Sequence, residues 1–279
     1  SDIRADQWVV LELSSFMLEG LAEVHWSPHI ALVTNIAPNH LDRYGEFADY
    51  VRAKQAILVH QRDGDVALLG QSVAEWPTAA GVGRRLVDEP NGKLVSLPGL
   101  HNQFNAAFAV AVGREIAAGG PDLGAAMCGF CGLPHRLQPV CEHDGVRYVN
   151  DSKSTTPQAA MLALRSFDRG IVHVILGGYD KGSDLEPLAG YAAAHGRAIY
   201  TMGATGGVIR CAAAASGGDA ELIDCRTLDR AVAEAVRRVG PGDVVLLSPG
   251  CASWDQFENF EQRGATFVEA VRRYATGKK

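Results

Sequence analysis

Residues 132–157 read GLPHRLQPVCEHDGVRYVNDSKSTTP: a Gly-Leu-Pro-His-Arg turn, a short strand, and the polar cluster Asn150-Asp151-Ser152-Lys153-Ser154-Thr155. Glycine and proline at 132 and 134 interrupt any element running through them, so a domain boundary is expected there, giving domains 1–132 and 133–279. The strand passes directly into groups suited to grip an anion or a nucleotide. In open α/β sheets that is where ligands bind, outside the carboxyl ends of the strands. The stretch is therefore read as a joint and as one wall of an active site.

Beyond it, apolar runs alternate with helical patterns. Strands are expected at 147–149, 171–176, 198–202 and 244–247, with helices at 157–166, 228–239 and 259–274. Strands separated by helices imply βαβ units and a mostly parallel sheet.

Before it, Trp8-Val9-Val10-Leu11 is a continuous apolar run of the kind found in strands buried on both faces. A helical LELSSFMLE follows, then a second such run, Ile30–Val33, leading to TNIAPNH. Residues 46–61 place Phe47, Tyr50, Val51, Ile57 and Leu58 on one helical stripe, with Lys54 among them. VALLG (66–70) and KLVSLPG (93–99) read as short strands, and helices are expected from His101 and over 122–130.

The 279 residues suffice for one large or two ordinary domains, and 47 % apolar with 21 % charged residues is a globular composition. A net charge of -6 with no basic patch argues against a nucleic-acid partner. No apolar run approaches the ~20 residues of a membrane span, and SDIRADQW is not a signal peptide, so a cytoplasmic protein is expected. Six scattered cysteines do not make a disulfide framework, and Cys128-Gly-Phe-Cys131 has no second pair to complete a zinc site.

Glu12, His40, Asp151, Lys181 and Ser253 each follow an apolar run by a few residues, which suggests a shared rim or two rims on separate sheets. Glu12 and His40 are either an oxygen and a nitrogen donor for a divalent cation, or a capping and a turn residue. Lys54 either extends its ammonium to solvent or lies buried with a lowered pKa; a neutral amine there can take up carbon dioxide as a carbamate. Arg136 offers a fork for phosphate, Asp151 an acceptor for a ribose hydroxyl or a metal, and Lys153 and Lys181 point charges, although a lone lysine is often only surface. Ser248–Ser253, SPGCAS, is either an anion-holding turn or a tight strand-to-helix connection, and Gly203-Ala204-Thr205-Gly206-Gly207 reads as a plain turn.

Taken together, LELSSFMLE, TNIAPNHLDRY, YVRAKQAIL, LPGLHNQFNAAFA, GLPHRLQPV, VNDSKSTTP, LGGYDKGSDL and LSPGCASWDQFENFEQRG resemble the Mur ligases. The ending CASxDQFxxFEQRG resembles the branch that adds D-glutamate. The resemblance implies an α/β fold: a truncated P-loop-type central ATPase domain followed by a Rossmann-like carboxyl-terminal Mur ligase domain. It implies ATP and Mg2+ as cofactors, D-glutamate and UDP-N-acetylmuramoyl-L-alanine as substrates, and a monomer. The place implied is peptidoglycan synthesis, hence cell-wall biogenesis, cell shape and cell division. Glu12, His40 and a carbamylated Lys54 fall on metal positions; Asn102, Asn105, Arg136 and Asp151 on nucleotide positions; Thr155, Lys181, Ser253 and Phe260 on D-glutamate positions. Lys54, His40 and Lys153 take the catalytic roles, Lys153 lying beside both ligands.

One family feature is missing. No G-x-x-x-x-G-K-[ST] phosphate loop occurs in the 279 residues, nor does the family's uridine-nucleotide domain. The expectation is an incomplete ligase, inactive by itself and poorly soluble. A non-catalytic remnant that binds D-glutamate or nucleotide, and a folylpolyglutamate-synthase-like enzyme, are the alternatives.

Overall fold

The structure is a computed structural model that describes residues 3, 4, 6–37, 41–90, 97–116, 123, 127, 129–275 and 277. The chain divides into two compact units, Ser1–Leu94 with Gln103–Met127, and Val95–Asn102 with Cys128–Lys279.

In the first unit, helix α1 (Ser15–Glu23) is capped by Ser14, whose hydroxyl accepts from the Met17 amide. Strands β1 (Ile30–Val33), β2 (Val66–Gly70) and β3 (Gly83–Val87) form a parallel sheet in that order. Between β1 and β2 come α2 (Leu41–Tyr44) and α3 (Phe47–Val59). Helix α4 (Leu100–Ile116) follows β3. Ala31, Leu58, Ala67, Leu69, Val73 and Trp76 make the core.

The strand expected over Trp8–Leu11 is not formed. These residues are in no ladder, and their exposures are 56, 51, 93 and 56 %. An apolar run supplies side chains for two buried faces but not the neighbouring strand whose amides it must pair with, and the described sheet ends at β1. Conversely, β3 was not expected: GRRLV carries two arginines, and its backbone pairing with β2 overrides that charge. Most of 93–99 and 122–130 lies outside the described residues, as does Cys128.

The second unit is a six-stranded sheet of order β4-β5-β9-β6-β7-β8. The strands are β4 (Gln138–His143), β5 (Val146–Asn150), β6 (Val172–Leu176), β7 (Ala198–Met202), β8 (Glu221–Arg226) and β9 (Val244–Leu247). Only β4 runs antiparallel to its neighbour, through a hairpin turned by Asp144 (φ 50°) and Gly145 (φ 74°). Aspartate-glycine with both φ positive matches the twist of paired strands, as in a type I′ turn.

Side-chain alternation sorts the strands onto two faces. Val172, Val174, Leu176, Val244 and Leu246 meet α5 (Pro157–Leu164), α6 (Glu186–His195) and α7 (Gly206–Ala215) on one side. Ile175, Tyr200, Val245 and Leu247 meet α8 (Leu228–Val236) and α9 (Phe260–Tyr274) on the other. With helices covering both faces, the unit is a doubly wound α/β sheet. Strand β9 returns between β5 and β6, so the loops after these three strands emerge side by side.

Candidate active site

Three strand ends in the second unit converge through hydrogen bonds. The Asp151 amide donates to Leu247 O (2.7 Å), Gly177 N to Pro249 O (2.9 Å), and Gly250 N to Ser154 O (3.0 Å). Asp151 is 5 % exposed and accepts from Ser154 Oγ (2.5 Å), Ser248 Oγ (2.7 Å) and Leu137 N (3.1 Å). Burial pushes its carboxyl pKa up, against the pull of these three donors and of nearby Arg136. Arg136 itself is exposed, between His135 (φ 63°) and Leu137 (φ 41°), both in the left-handed region.

A second anchor was not foreseen from the sequence. Arg263 on α9 is fully buried and donates from Nε to Ser152 Oγ (3.0 Å), from Nη1 to the carbonyls of Cys251 (3.0 Å) and Ala252 (3.1 Å), and from Nη2 to Ser152 O (2.9 Å). Burial lowers its pKa to about 10, still far above neutrality, so a cation stands behind the Ser248–Ser253 turn. The signal was present in FEQRG: an arginine one residue before a glycine, in helical register with the apolar Phe267, Ala270 and Val271. That Gly264 is needed because a Cβ there would come within 2.1 Å of His135 Nδ1.

In front of this turn lies a small, shallow hollow that is open to solvent. Thr155, Tyr179, Asp180, Lys181, Gly250 and Ala252 are among its lining residues. The Tyr179 amide donates to Ala252 O (2.9 Å), tying the loop after β6 to the loop after β9. This close approach requires Gly178, whose φ is 156° and where a Cβ would meet Ala252 O at 2.2 Å. Thr205, at the start of α7, holds Gly178 from behind: its Oγ1 donates to Gly178 O (3.1 Å) and accepts from Gly178 N (3.0 Å). The turn expected over 203–207 ends at Thr205, because Gly206 and Gly207 already open α7; the segment acts as a buttress, and its Ala204 amide donates to Asp255 Oδ2 (2.9 Å).

Of the residues expected to hold an amino acid, Thr155 and Lys181 line the hollow. Ser253 is buried (2 % exposed) just beyond it. Phe260 lies to one side, at the start of α9, with the Lys153 ammonium 5.4 Å from its ring centre and its carbonyl accepting from Ser152 Oγ (2.8 Å). Asn102 uses its amide on Pro98 O (2.8 Å), while Asn105 is exposed on α4.

In the first unit, Lys54 is half-buried on α3, and its ammonium reaches Leu13 O at 3.4 Å. Burial lowers its pKa, partly offset by the Glu12 carboxylate nearby. His40 lies outside the described residues. Among the described residues, no cluster of three or more histidine, cysteine or acidic side chains forms a metal site.

Comparison with known proteins follows the two units. Residues 4–80 match the Mur ligase middle domain, and residues 135–251 match the Mur ligase glutamate ligase domain. The chain belongs to the Mur ligase family. Within it, the chain is 36 % identical, over 98 % of its length, to the UDP-N-acetylmuramoylalanine--D-glutamate ligase of Koribacter versatilis, and 39 % identical, also over 98 %, to that of Roseiflexus sp.. It spans 65 % and 66 % of the lengths of these two relatives. Among solved structures it is similar to the MurF ligase of Thermotoga maritima in complex with ADP (TM-score 0.66, 14 % identity, 92 % of this chain and 65 % of that one). It is also similar to E. coli FolC in complex with DHPP and ADP (TM-score 0.61, 20 % identity, 88 % and 62 %). At these identities the structural likeness defines the fold alone.

Proposed function

We propose that this chain carries the amino-acid side, and part of the metal and nucleotide side, of an ATP-dependent ligase that adds D-glutamate to UDP-N-acetylmuramoyl-L-alanine. The hollow carries this reading. Lys181 and Thr155 offer a cation and a hydroxyl to a carboxylate, Asp180 an anion for an amino group, and the buried Arg263 cation adds positive potential behind the wall. An amino acid with an extra carboxylate suits that set. The identity to D-glutamate ligases supports the same substrate.

Bound ATP would supply its terminal phosphoryl group to the substrate carboxylate and leave as ADP, and the amino group of D-glutamate would then form the amide bond by displacing inorganic phosphate. The chain's own residues have positioning and electrostatic work in this scheme. Lys181 and Thr155 orient D-glutamate, Asp180 and its neighbours receive the ammonium that must lose its proton before attack, and Lys153 offsets developing negative charge. Asn102, Asn105, Arg136 and Asp151 serve the nucleotide. For Mg2+, the residues present fit: Glu12 supplies a carboxylate beside Lys54, whose lowered pKa favours the neutral amine that can become a carbamate. Glu12, His40 and Lys54 would hold the ion, whose charge offsets that of the phosphates. The working compartment is the cytoplasm, where ATP and the nucleotide-linked substrate meet, and the working form is a monomer.

The reading has a binding half and a turnover half. Calorimetric titration with D-glutamate tests the binding half: heat at millimolar ligand that Lys181→Ala abolishes is expected, and no heat with the unaltered chain sinks the reading. A phosphate-release assay with all three substrates tests the other half, with no turnover expected.

A further inference from the structure

Between Ser253 and Asp255, in the loop after β9, stands Trp254. The side chain is 59 % exposed although large and apolar, so burial does not account for where it stands. Its contacts do. The Lys181 ammonium lies 4.4 Å from the centre of the Trp254 ring, and the Tyr179 ring 5.6 Å from it at an interplanar angle of 54°. The partners come from two different strand ends, the loop after β6 and the loop after β9. The antiparallel bridge between Tyr179 and Ala252 sets their register.

A lysine on an exposed loop has four rotatable bonds and no reason to favour one direction. An indole face attracts an ammonium through its quadrupole, and tryptophan does so more strongly than tyrosine or phenylalanine. A cation held in that way keeps its outer hydrogens free for an anion, because the ring takes none of them as a conventional hydrogen bond does. Lys181 also lines the hollow, so the ring fixes the ammonium at the hollow's rim.

We infer that Trp254 is a positioning residue of the amino-acid site: it holds the Lys181 ammonium over its ring and, with Tyr179, presents it to a carboxylate of an acidic amino acid. The inference rests on the proposed D-glutamate site and adds to it the residue that pre-orients its cation. Pre-orientation acts through affinity, because less side-chain freedom is lost when the ligand arrives.

Calorimetric titration of D-glutamate into the unaltered chain, Trp254→Leu and Trp254→Phe tests this, with a melting curve for each. An exposed cation–π contact corresponds to a two- to fivefold change in affinity, about 0.5–1 kcal/mol. Trp254→Leu is expected to weaken binding by that factor with its melting temperature unchanged, and Trp254→Phe, which keeps an aromatic face, to recover at least half of the loss on the free-energy scale. In the ligand-free chain, Lys181→Met is expected to change tryptophan emission, and the same substitution in a Trp254→Phe background to leave it unchanged. Equal affinity of Trp254→Leu and the unaltered chain overturns the inference alone. So does a Trp254→Phe variant as weak as Trp254→Leu, or emission insensitive to Lys181→Met. Absence of D-glutamate binding by the unaltered chain overturns the proposed site and this inference together.

Discussion

Ser248 and Asp151 stand 97 positions apart in the chain, and the hydroxyl of the first donates to the carboxylate of the second at 2.7 Å in a fully buried setting. The bond fastens the end of β9 to the end of β5, the two strand ends that frame the polar cluster. Ser248→Ala removes a hydrogen bond to a charged group, which costs about 1.5–3 kcal/mol. The sign of its pH dependence follows from Asp151. Burial already raises that carboxyl's folded pKa, and Ser248 is one of the donors pulling it down, so the variant's folded pKa rises further. A carboxyl with a raised folded pKa contributes its stability below the unfolded value and loses it as pH rises through the folded one. The deficit of Ser248→Ala against the unaltered chain is therefore smallest below pH 4 and grows on going to neutrality. Urea midpoints at pH 4 and pH 7 check this; an equal deficit at both would contradict it.

Arg263→Met leaves the carbonyls of Ser152, Cys251 and Ala252 without the donor that now joins them. Breaking a buried, hydrogen-bonded charge network typically costs about 3–5 kcal/mol. Arg263→Lys is expected to recover little, because one ammonium cannot reach four acceptors spread around a planar fork. Chemical denaturation of both variants measures the cost, and a lysine variant as stable as the parent would show that charge, rather than the fork, is what the turn needs.

The alternating strands and helices of residues 147–274 were legible because each carries its own period: β9 at 244–247 and the helices at 157, 228 and 260 stand where apolar spacing placed them. Partnership was less legible. VHVIL of β6 and WVVL at 8–11 look alike as strings, yet only β6 has neighbours on both sides, β9 and β7, and only β6 is a strand. The hairpin of β4 and β5 announces itself in the Asp144-Gly145 pair within residues 132–157, but PVCEH before it has no clean alternation that would mark a strand. Strand β8 and helices α6 and α7 were also missed, α6 because its hydrophobic positions are mostly alanine and give a weak stripe, and α7 because it opens on two glycines that read as a turn. At the site, Thr155 and Lys181 were found as polar residues after strands, and they share the hollow. Arg263 was not found, because its role depends on carbonyls that only the folded turn brings round it.

Lys54 gives a prediction with a direct chemical readout. Desolvation lowers its pKa while Glu12 partly restores it, so a larger fraction of neutral amine is present at mildly alkaline pH than for a surface lysine. A neutral amine adds carbon dioxide and releases a proton to form a carbamate. Carbon-13 NMR of the chain equilibrated with labelled bicarbonate at pH 8.5 is expected to show a carbamate signal that Lys54→Arg removes. A spectrum unchanged by the substitution would remove Lys54 from the proposed metal site.

His173 is 2 % exposed near the start of β6, with Nδ1 at 2.9 Å from the Tyr200 hydroxyl and Nε2 at 3.3 Å from Asp243 Oδ2. Asp243 and Glu221 favour its protonated form and Arg197 opposes it, but burial is the largest effect and the folded pKa lies below the usual value of 6.5. A histidine with a depressed folded pKa contributes stability above the unfolded pKa and loses it as pH falls through the folded one, because only the unfolded chain takes the proton in between. Stability should therefore decline as pH drops below 6.5, by at most about 1.4 kcal/mol per pH unit from this group. For a chain of this size that is about 2–4 °C in melting temperature per unit. His173→Gln keeps hydrogen-bonding capacity toward Tyr200 and Asp243 and has no titration in this range. Melting curves from pH 7.5 to 5.5 should be flatter for the variant than for the parent. Parallel curves would mean that the acid sensitivity resides elsewhere, in which case the His173–Asp243 contact favours the protonated ring enough to cancel its desolvation.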